Sequence, residues 1–344
     1  MYWMKLFIFF TFFLITKMAF AEFFQDISNI IKNNKERLSY GISVTDFNKD
    51  GQFEFIVTGF RYPNLALSYK KGYLENLINE EVFSDNLRST IGVAACDIDN
   101  DGFEELYFLN TDTYSGRKQY SDRLLDSQTK IIDLFEIEKN LKSLNLTAGR
   151  SVVCVDRNGV GTYGFYVANY GGPTRFYELI NNQIIDKAPM LNIDKITGGR
   201  AVVSGHILGD QMDIFAANER GPNFLYINER GRFKDVANKL GVEDTFENGR
   251  GTTLTDFLYR GKLDIVSGNW NGEHRIFVNK MDKFVDIANL EFKIPSRVRT
   301  IISADFDNDG FDEIFINNTI MIIFFARGWF VVTKPRRRSG RVLV

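Results

Sequence analysis

The amino-acid sequence predicts an all-β protein, and more narrowly a β-propeller with six recognisable blades of a seven-bladed type. Three observations carry this. First, an apolar strand runs into a polar loop six times. The loops open at Asp46, Asp97, Asp156, His206, Asp256 and Asp305, at separations of 51, 59, 50, 50 and 49 residues. Second, each loop is followed by another β run, at 53–57, 105–109, 165–168, 213–217, 263–267 and 313–316. Third, the clearest cycles continue into a third run, at 176–179, 224–227 and 276–278, and a fourth, at 233–236 and 284–287. Four short strands in about 50 residues make one propeller blade, which hides its faces only by stacking on neighbours. Composition agrees, with 32 Phe against 6 Pro. Aromatic-rich short segments between Gly-rich turns favour β structure.

In chain order, residues 1–21 read as a secretory signal. Lys5 supplies a positive start, residues 6–15 an apolar run too short for a membrane span, and Ala19-Phe20-Ala21 a small-x-small site, with cleavage expected after Ala21. Residues 22–38 form an N-terminal segment, either helical or a strand that closes the ring. The propeller covers 39–318. Its long second interval holds an insertion at 114–126, rich in charge and Tyr, read as a loop or short helix on one propeller face. Arg150, Arg200, Arg250 and Arg299 each stand six residues before a loop, and this internal recurrence marks them as structural. Cys96 and Cys154 sit in apolar runs just before loops and read as small buried hydrophobes rather than a disulfide. Residues 319–344 break the cycle. An apolar run interrupted by Arg327 is too short to span a membrane, and a basic tail follows. The run either forms two strands around Gly328 or is not native, which would leave the ring incomplete.

Three of the six loops carry oxygen-bearing side chains at positions 1, 3, 5 and 9 and Gly at 6. They are Asp46, Asn48, Asp50 and Glu54 with Gly51; Asp97, Asp99, Asp101 and Glu105 with Gly102; and Asp305, Asp307, Asp309 and Glu313 with Gly310. A hard cation gathers several oxygens at about 2.3–2.6 Å, so a sharply turning chain must present them. The backbone carbonyls of Gln52, Phe103 and Phe311, at position 7, add one ligand each. Glycine permits the positive φ of the turn. An EF-hand needs Glu at position 12 and flanking helices. Position 12 holds Val57, Phe108 and Ile316, and the flanks are strand-like. Calcium (Ca2+) in a β-hairpin is therefore the expected cofactor.

Residues 198–292 add a sharper signal. The step N-x-x-G-P-N-x-L-Y-x-N at 218–228 is followed by Gly-x-Phe-x-Asp-Val-Ala at 231–237, and the cycle then repeats. It resembles the FG-GAP/VCBS repeats of the cartilage acidic protein 1 (ASPIC/UnbV) family, repeats related to the integrin α-subunit propeller. The likeness covers about residues 39–318. It implies a secreted propeller that binds calcium on one face, in a family of adhesion or interaction proteins without catalysis. Three loops depart from the repeat. The third keeps Asp156 and Asn158 but has Val160 and Gly164 at ligand positions. The fourth has His206, Gly209 and Asp213 and is one residue shorter. The fifth has Leu258 and Arg260 where ligands belong, and Arg260 could place a fixed cation at the metal position. These three are expected to be metal-free.

Charge excludes one class of partner. The net charge is −2, but residues 1–21 and 322–344 carry two and six basic residues and no acids, so residues 22–321 sum to −10. An acidic body argues against nucleic acid. No HExxH, P-loop, dinucleotide fingerprint, CxxC or G-x-S-x-G elbow occurs. His206 and His274 read as surface or loop residues. The expected function is an exported calcium-binding module for adhesion or for protein or carbohydrate interaction, secreted, periplasmic or on the cell surface. It is not an enzyme, and it has no transmembrane span beyond the signal. The alternative is a lyase-like, polysaccharide-active enzyme on a propeller scaffold. That alternative needs a Lys, Arg, Tyr or His cluster on the axial face, and only Tyr114 to Tyr120 in the insertion offers one. The sequon at Asn145 reads as a chance occurrence, and the run Arg336 to Arg338 as a solvated tail.

Overall fold

The computed structural model describes residues 25–280, 283–319, 322–326 and 329–333, and the signal segment lies outside them. Its strands group into six antiparallel four-stranded blades. The first holds β1 (Ile42–Thr45), β2 (Glu54–Val57), β3 (Leu65–Lys70) and β4 (Tyr73–Asn76). The second holds β5 (Thr90–Cys96), β6 (Glu105–Asn110), β7 (Arg123–Asp126) and β8 (Ile132–Asp133). The third holds β9 (Gly149–Val155), β10 (Gly164–Pro173), β11 (Arg175–Ile180) and β12 (Gln183–Asp186). The fourth holds β13 (Ile196–Gly205), β14 (Asp213–Asn218), β15 (Phe224–Glu229) and β16 (Arg232–Asp235). The fifth holds β17 (Gly249–Thr255), β18 (Asp264–Asn269), β19 (Arg275–Lys280) and β20 (Lys283–Asp286). The sixth holds β21 (Val298–Ala304), β22 (Glu313–Asn318), β23 (Ile322–Ala326) and β24 (Trp329–Thr333). β10 runs past its own blade and pairs with β13, which joins the third and fourth sheets.

The first strand of each blade is innermost, and these strands pack in chain order from β1 through β5, β9, β13 and β17 to β21. Among the described residues no comparable packing joins β21 back to β1. Ile42 and Val44 on β1 are accordingly exposed. The core lies between blades rather than within them. One apolar layer joins Tyr107 and Leu124 of the second blade to Phe165 and Tyr177 of the third. Another joins Phe215 and Leu225 of the fourth to Ile265 and Phe277 of the fifth. A second strand covered on both faces is buried at every position, as β6, β14 and β18 are. That is why these runs read as continuous apolar stretches instead of alternating ones. Innermost strands approach closely: a Cβ on Gly251 would lie 2.8 Å from the Ile301 nitrogen of the next blade. They surround an axial cavity of 450 Å³ lined by Ser43, Ala94, Val152, Val203 and Leu254, among others.

Several expectations are corrected here. Cys96 and Cys154 are not separate buried hydrophobes: they form a disulfide between β5 and β9, with Cα atoms 6.2 Å apart. Nothing local marks residues 58 apart as neighbours; only the stacking of innermost strands brings them together. The insertion is shorter than expected, because Arg123–Asp126 is the third strand of its blade. The extra length of that repeat also goes into 3-10 turns at Leu134–Glu136 and Glu138–Ser143. The N-terminal segment gives a 3-10 turn at Ser28–Ile30, and Ile31 then bridges Leu74 of the outermost strand β4. There it packs with Val57 and Leu67 instead of closing the ring. The two runs around Gly328 are strands of the sixth sheet, β22 pairing β23 and β23 pairing β24.

Candidate metal centre

All six loops turn between an innermost strand and the second strand of its blade, so they share one face. In the three complete loops the backbone turns alike. Position 4 is left-handed at Lys49, Asn100 and Asn308 (φ 56°, 63° and 57°), and position 6 at Gly51, Gly102 and Gly310 (φ 84°, 86° and 87°). Backbone N–H groups aim the carboxylates. Asp46 accepts from the nitrogens of Asp50 and Gly51, both at 3.0 Å, and Asn48 Oδ1 from Asp50 at 3.0 Å. Asp97 accepts from Gly102 at 2.9 Å, Asp99 from Asp101 at 3.2 Å, and Asp101 from Phe103 at 2.7 Å. Asp305 accepts from Gly310 at 3.0 Å, Asp307 from Asp309 at 3.1 Å, and Asp309 from Phe311 at 2.9 Å. The Gln52 nitrogen likewise donates to Asp50 at 2.9 Å.

The position-9 glutamates open the second strands and are buried. Oε2 of Glu54, Glu105 and Glu313 accepts from the nitrogens of Phe47, Ile98 and Phe306 at 3.2, 2.8 and 2.9 Å. Oε1 of Glu105 is buried without a hydrogen-bond partner among the described residues, and Glu54 faces the Ser68 hydroxyl across the β2–β3 pair. Oxygens of Asp97, Asp99 and Asp101 lie within 4.8 Å of one another, as do those of Asp305, Asp307 and Glu313. Burial first, and then the neighbouring aspartates, pushes Glu105 up to about 8 and raises Glu54, Glu313 and Asp99 from their ordinary values. Buried acids that repel one another need a proton or a cation. The donor set, all hard oxygens around a tight turn, fits calcium.

The degenerate loops keep the turn and change its contents. In the third, Asp156 still accepts from Gly159 and Gly161 at 2.8 and 2.7 Å, but Gly164 brings no side chain to position 9. In the fourth, Asp213 accepts from Leu208 and Asn228, both at 2.8 Å, and His206 is exposed. In the fifth, the Arg260 guanidinium donates to Asp264, the position-9 acid, at 2.7 Å and to the Asn279 carbonyl at 2.6 Å.

Two features were missed in the sequence. His274 is buried, not a surface residue. Its Nδ1 accepts from the Asn269 nitrogen at 3.0 Å, so its Nε2 carries the proton and donates to Ser296 Oγ at 2.9 Å. Burial and then Arg275 lower it to about 4. Asn64 and Asn223 accept the equivalent N–H at 2.9 and 3.0 Å, so the asparagine of the repeat motif signals this role. Asn145 is also buried, its amide donating to Asp122 at 2.6 Å and to Asn169 at 3.0 Å, which leaves no room for a glycan.

The second missed feature is on the opposite face. Arg150 and Arg200 both lie over the rings of Tyr114, at 5.7 and 5.3 Å, and Tyr170, at 5.5 and 4.5 Å. Arg250 and Arg299 both lie over Trp270, at 4.5 and 4.8 Å. Glu219 joins the two halves through ion pairs with Arg200 and, at 3.3 Å, Arg250. The expectation that the axial face carries no Arg and Tyr cluster beyond the insertion is thus corrected. Its signal was the arginine recurring every 50, 50 and 49 residues.

Residues 46–108 and 256–316 match the family model of the FG-GAP-like repeat. The chain is 45% identical over 317 residues to "Cartilage acidic protein 1" of Xenopus tropicalis, covering 83% of this chain and 49% of that protein. It is 44% identical over 343 residues to the Homo sapiens protein of the same name, covering 91% and 52%. The chain therefore spans about half the length of these curated relatives. Among solved structures it is similar to BBS1N, crystallised in complex with ARL6DN, with a TM-score of 0.55 at 10% identity, covering 90% of this chain and 89% of that one. That likeness is one of fold alone.

Proposed function

The chain is an FG-GAP repeat protein related to cartilage acidic protein 1, and from that premise we propose that it is an exported, calcium-binding interaction or adhesion module. The observation that carries this is the unpartnered Oε1 of Glu105, buried at the base of a loop whose other carboxylates converge beside it. Calcium would be held by Asp46, Asn48, Asp50 and Glu54, by Asp97, Asp99, Asp101 and Glu105, and by Asp305, Asp307, Asp309 and Glu313. The Gln52, Phe103 and Phe311 carbonyls would complete the three sets. A cation there neutralises mutually repelling acids and stiffens three hairpins on one face. The disulfide supports an oxidising compartment. Among the described residues no helix is long and apolar enough to cross a membrane.

Binding rather than turnover is proposed, supported by His274 being committed to backbone support and His206 standing in a loop without the repeat's ligands. Isothermal titration of calcium into chelator-stripped protein tests the cation. Saturable binding that weakens in Glu105→Gln is the expected outcome. Absence of heat, with the same melting temperature in millimolar calcium and in EDTA, sinks the proposal.

A further inference from the structure

We propose that Arg150, Arg200, Arg250 and Arg299, with the aromatic rings they share, form a binding site for an anionic glycan, one presenting a carboxylate or a sulfate from its sugar ring. The site is far from the acidic loops. Each arginine precedes its loop by six residues of extended strand, which at about 3.3 Å per residue puts the two faces about 20 Å apart. The inference rests on the interaction-module reading but not on calcium.

The charges do not balance. Among the described residues, four guanidiniums meet one carboxylate, Glu219, which pairs with only two of them. Arg150 spends its two terminal nitrogens on the Gly149, Thr113 and Tyr114 carbonyls and the Thr111 hydroxyl and faces no acid. The Nε groups of Arg150 and Arg250 are buried without an acceptor among the described residues. Burial first, and then the charge of Arg200, lowers Arg150 to about 10. An oxyanion beside the cluster would offset its net positive charge, and the exposed Arg299 guanidinium presents parallel donors matched to carboxylate or sulfate oxygens. The body of the protein is acidic, so this concentration of positive charge is local.

The site is open at its edges: Arg299 is exposed, Tyr114 is 58% exposed and Trp270 is half-buried, while the Arg200 and Arg250 side chains are only 10% and 13% exposed. The Tyr114 hydroxyl accepts from Arg200 at 3.1 Å, and Arg150 donates to the Thr111 hydroxyl at 2.8 Å. The insertion of the second blade is thereby folded over the arginines as a wall. An aromatic ring beside a guanidinium suits a pyranose: its apolar C–H face stacks on the ring while its charged substituent reaches the fork. An acidic peptide would use the arginines and leave the rings idle.

The test is calorimetric titration with galacturonate oligomers, heparin-derived sulfated oligosaccharides, neutral malto-oligosaccharides and polyglutamate. Saturable binding of a charged glycan, none of the neutral one, and no change on adding EDTA are expected. Which charged glycan binds separates carboxylate from sulfate. Arg150→Gln and Arg299→Gln should each weaken it by about tenfold, the loss of one charge-assisted hydrogen bond. Glu219→Gln should tighten it by removing the competing carboxylate. Arg299 is exposed, so its variant should melt like the wild type and any lost binding is then local. The proposal is overturned if folded wild type binds no charged glycan, if both arginine variants bind unchanged, or if polyglutamate binds as tightly as a charge-matched glycan. Binding of another protein without any charged glycan would keep the interaction module and remove this site.

Discussion

Replacing Asp101 by Ala, and separately Asp256 by Ala, sets a complete loop against a loop in which arginine stands at a ligand position. Both aspartates accept backbone hydrogen bonds. Asp101 accepts from Phe103, and Asp256 accepts from Arg260 and Gly261 at 2.8 and 2.6 Å. These solvent-facing bonds contribute about 0.5–1 kcal/mol each. Asp101 differs in the share of a cation site proposed for it. If calcium is held with the modest affinity of extracellular modules and supplied at ten times its dissociation constant, binding to the folded state contributes about 1.4 kcal/mol. Asp101→Ala should therefore cost about 2 kcal/mol in calcium and about 0.5–1 in EDTA. At about 2 °C per kcal/mol for a domain of this size, the drops in melting temperature are about 4 °C and 1–2 °C. Asp256→Ala should cost the same in both media, about 1–2 kcal/mol. Calorimetric or fluorescence melts of the three proteins in calcium and in EDTA give the comparison. Should Asp101→Ala be equally damaging with and without calcium, the ligand assignment is wrong. A calcium-dependent penalty in Asp256→Ala would refute the view that Arg260 replaces the ion.

Two further outcomes follow from the fold. Replacing both Cys96 and Cys154 by Ser opens a crosslink spanning 58 residues, which loop-closure entropy values at about 4 kcal/mol; an unchanged denaturant midpoint would contradict the disulfide. His274 is held near 4 when folded and returns to about 6.5 when unfolded, so its contribution is whole above pH 6.5 and is lost as pH falls toward 4. Up to about 3 kcal/mol is at stake. Asn does the same job at positions 64 and 223, so His274→Asn should flatten the fall in melting temperature across that window, and a fall identical to the wild type's would exclude His274 as its source.

Much of this architecture was legible in the chain because a propeller repeats its physics. Each blade must bury both faces of its second strand, so each writes the same apolar run after the same tight turn. The turn needs left-handed backbone at two places, so Gly51, Gly102 and Gly310 recur, and Gly161 and Gly261 hold the same place in loops that lack a ligand set. The convergence of the Asp97, Asp99 and Asp101 carboxylates was legible for the same reason: spacing within one hairpin is local, and local spacing survives in sequence. What was not legible depended on partners from other blades. Cys96 meets Cys154 only because β5 and β9 stack about the axis. His274 looks like a loop residue until its pairing with the Asn269 nitrogen and Ser296 is seen. Arg150, Arg200, Arg250 and Arg299 are periodic in the chain, but only the row of stacked innermost strands, and the insertion folded across it, turns four separate side chains into one positively charged cluster beside a single glutamate.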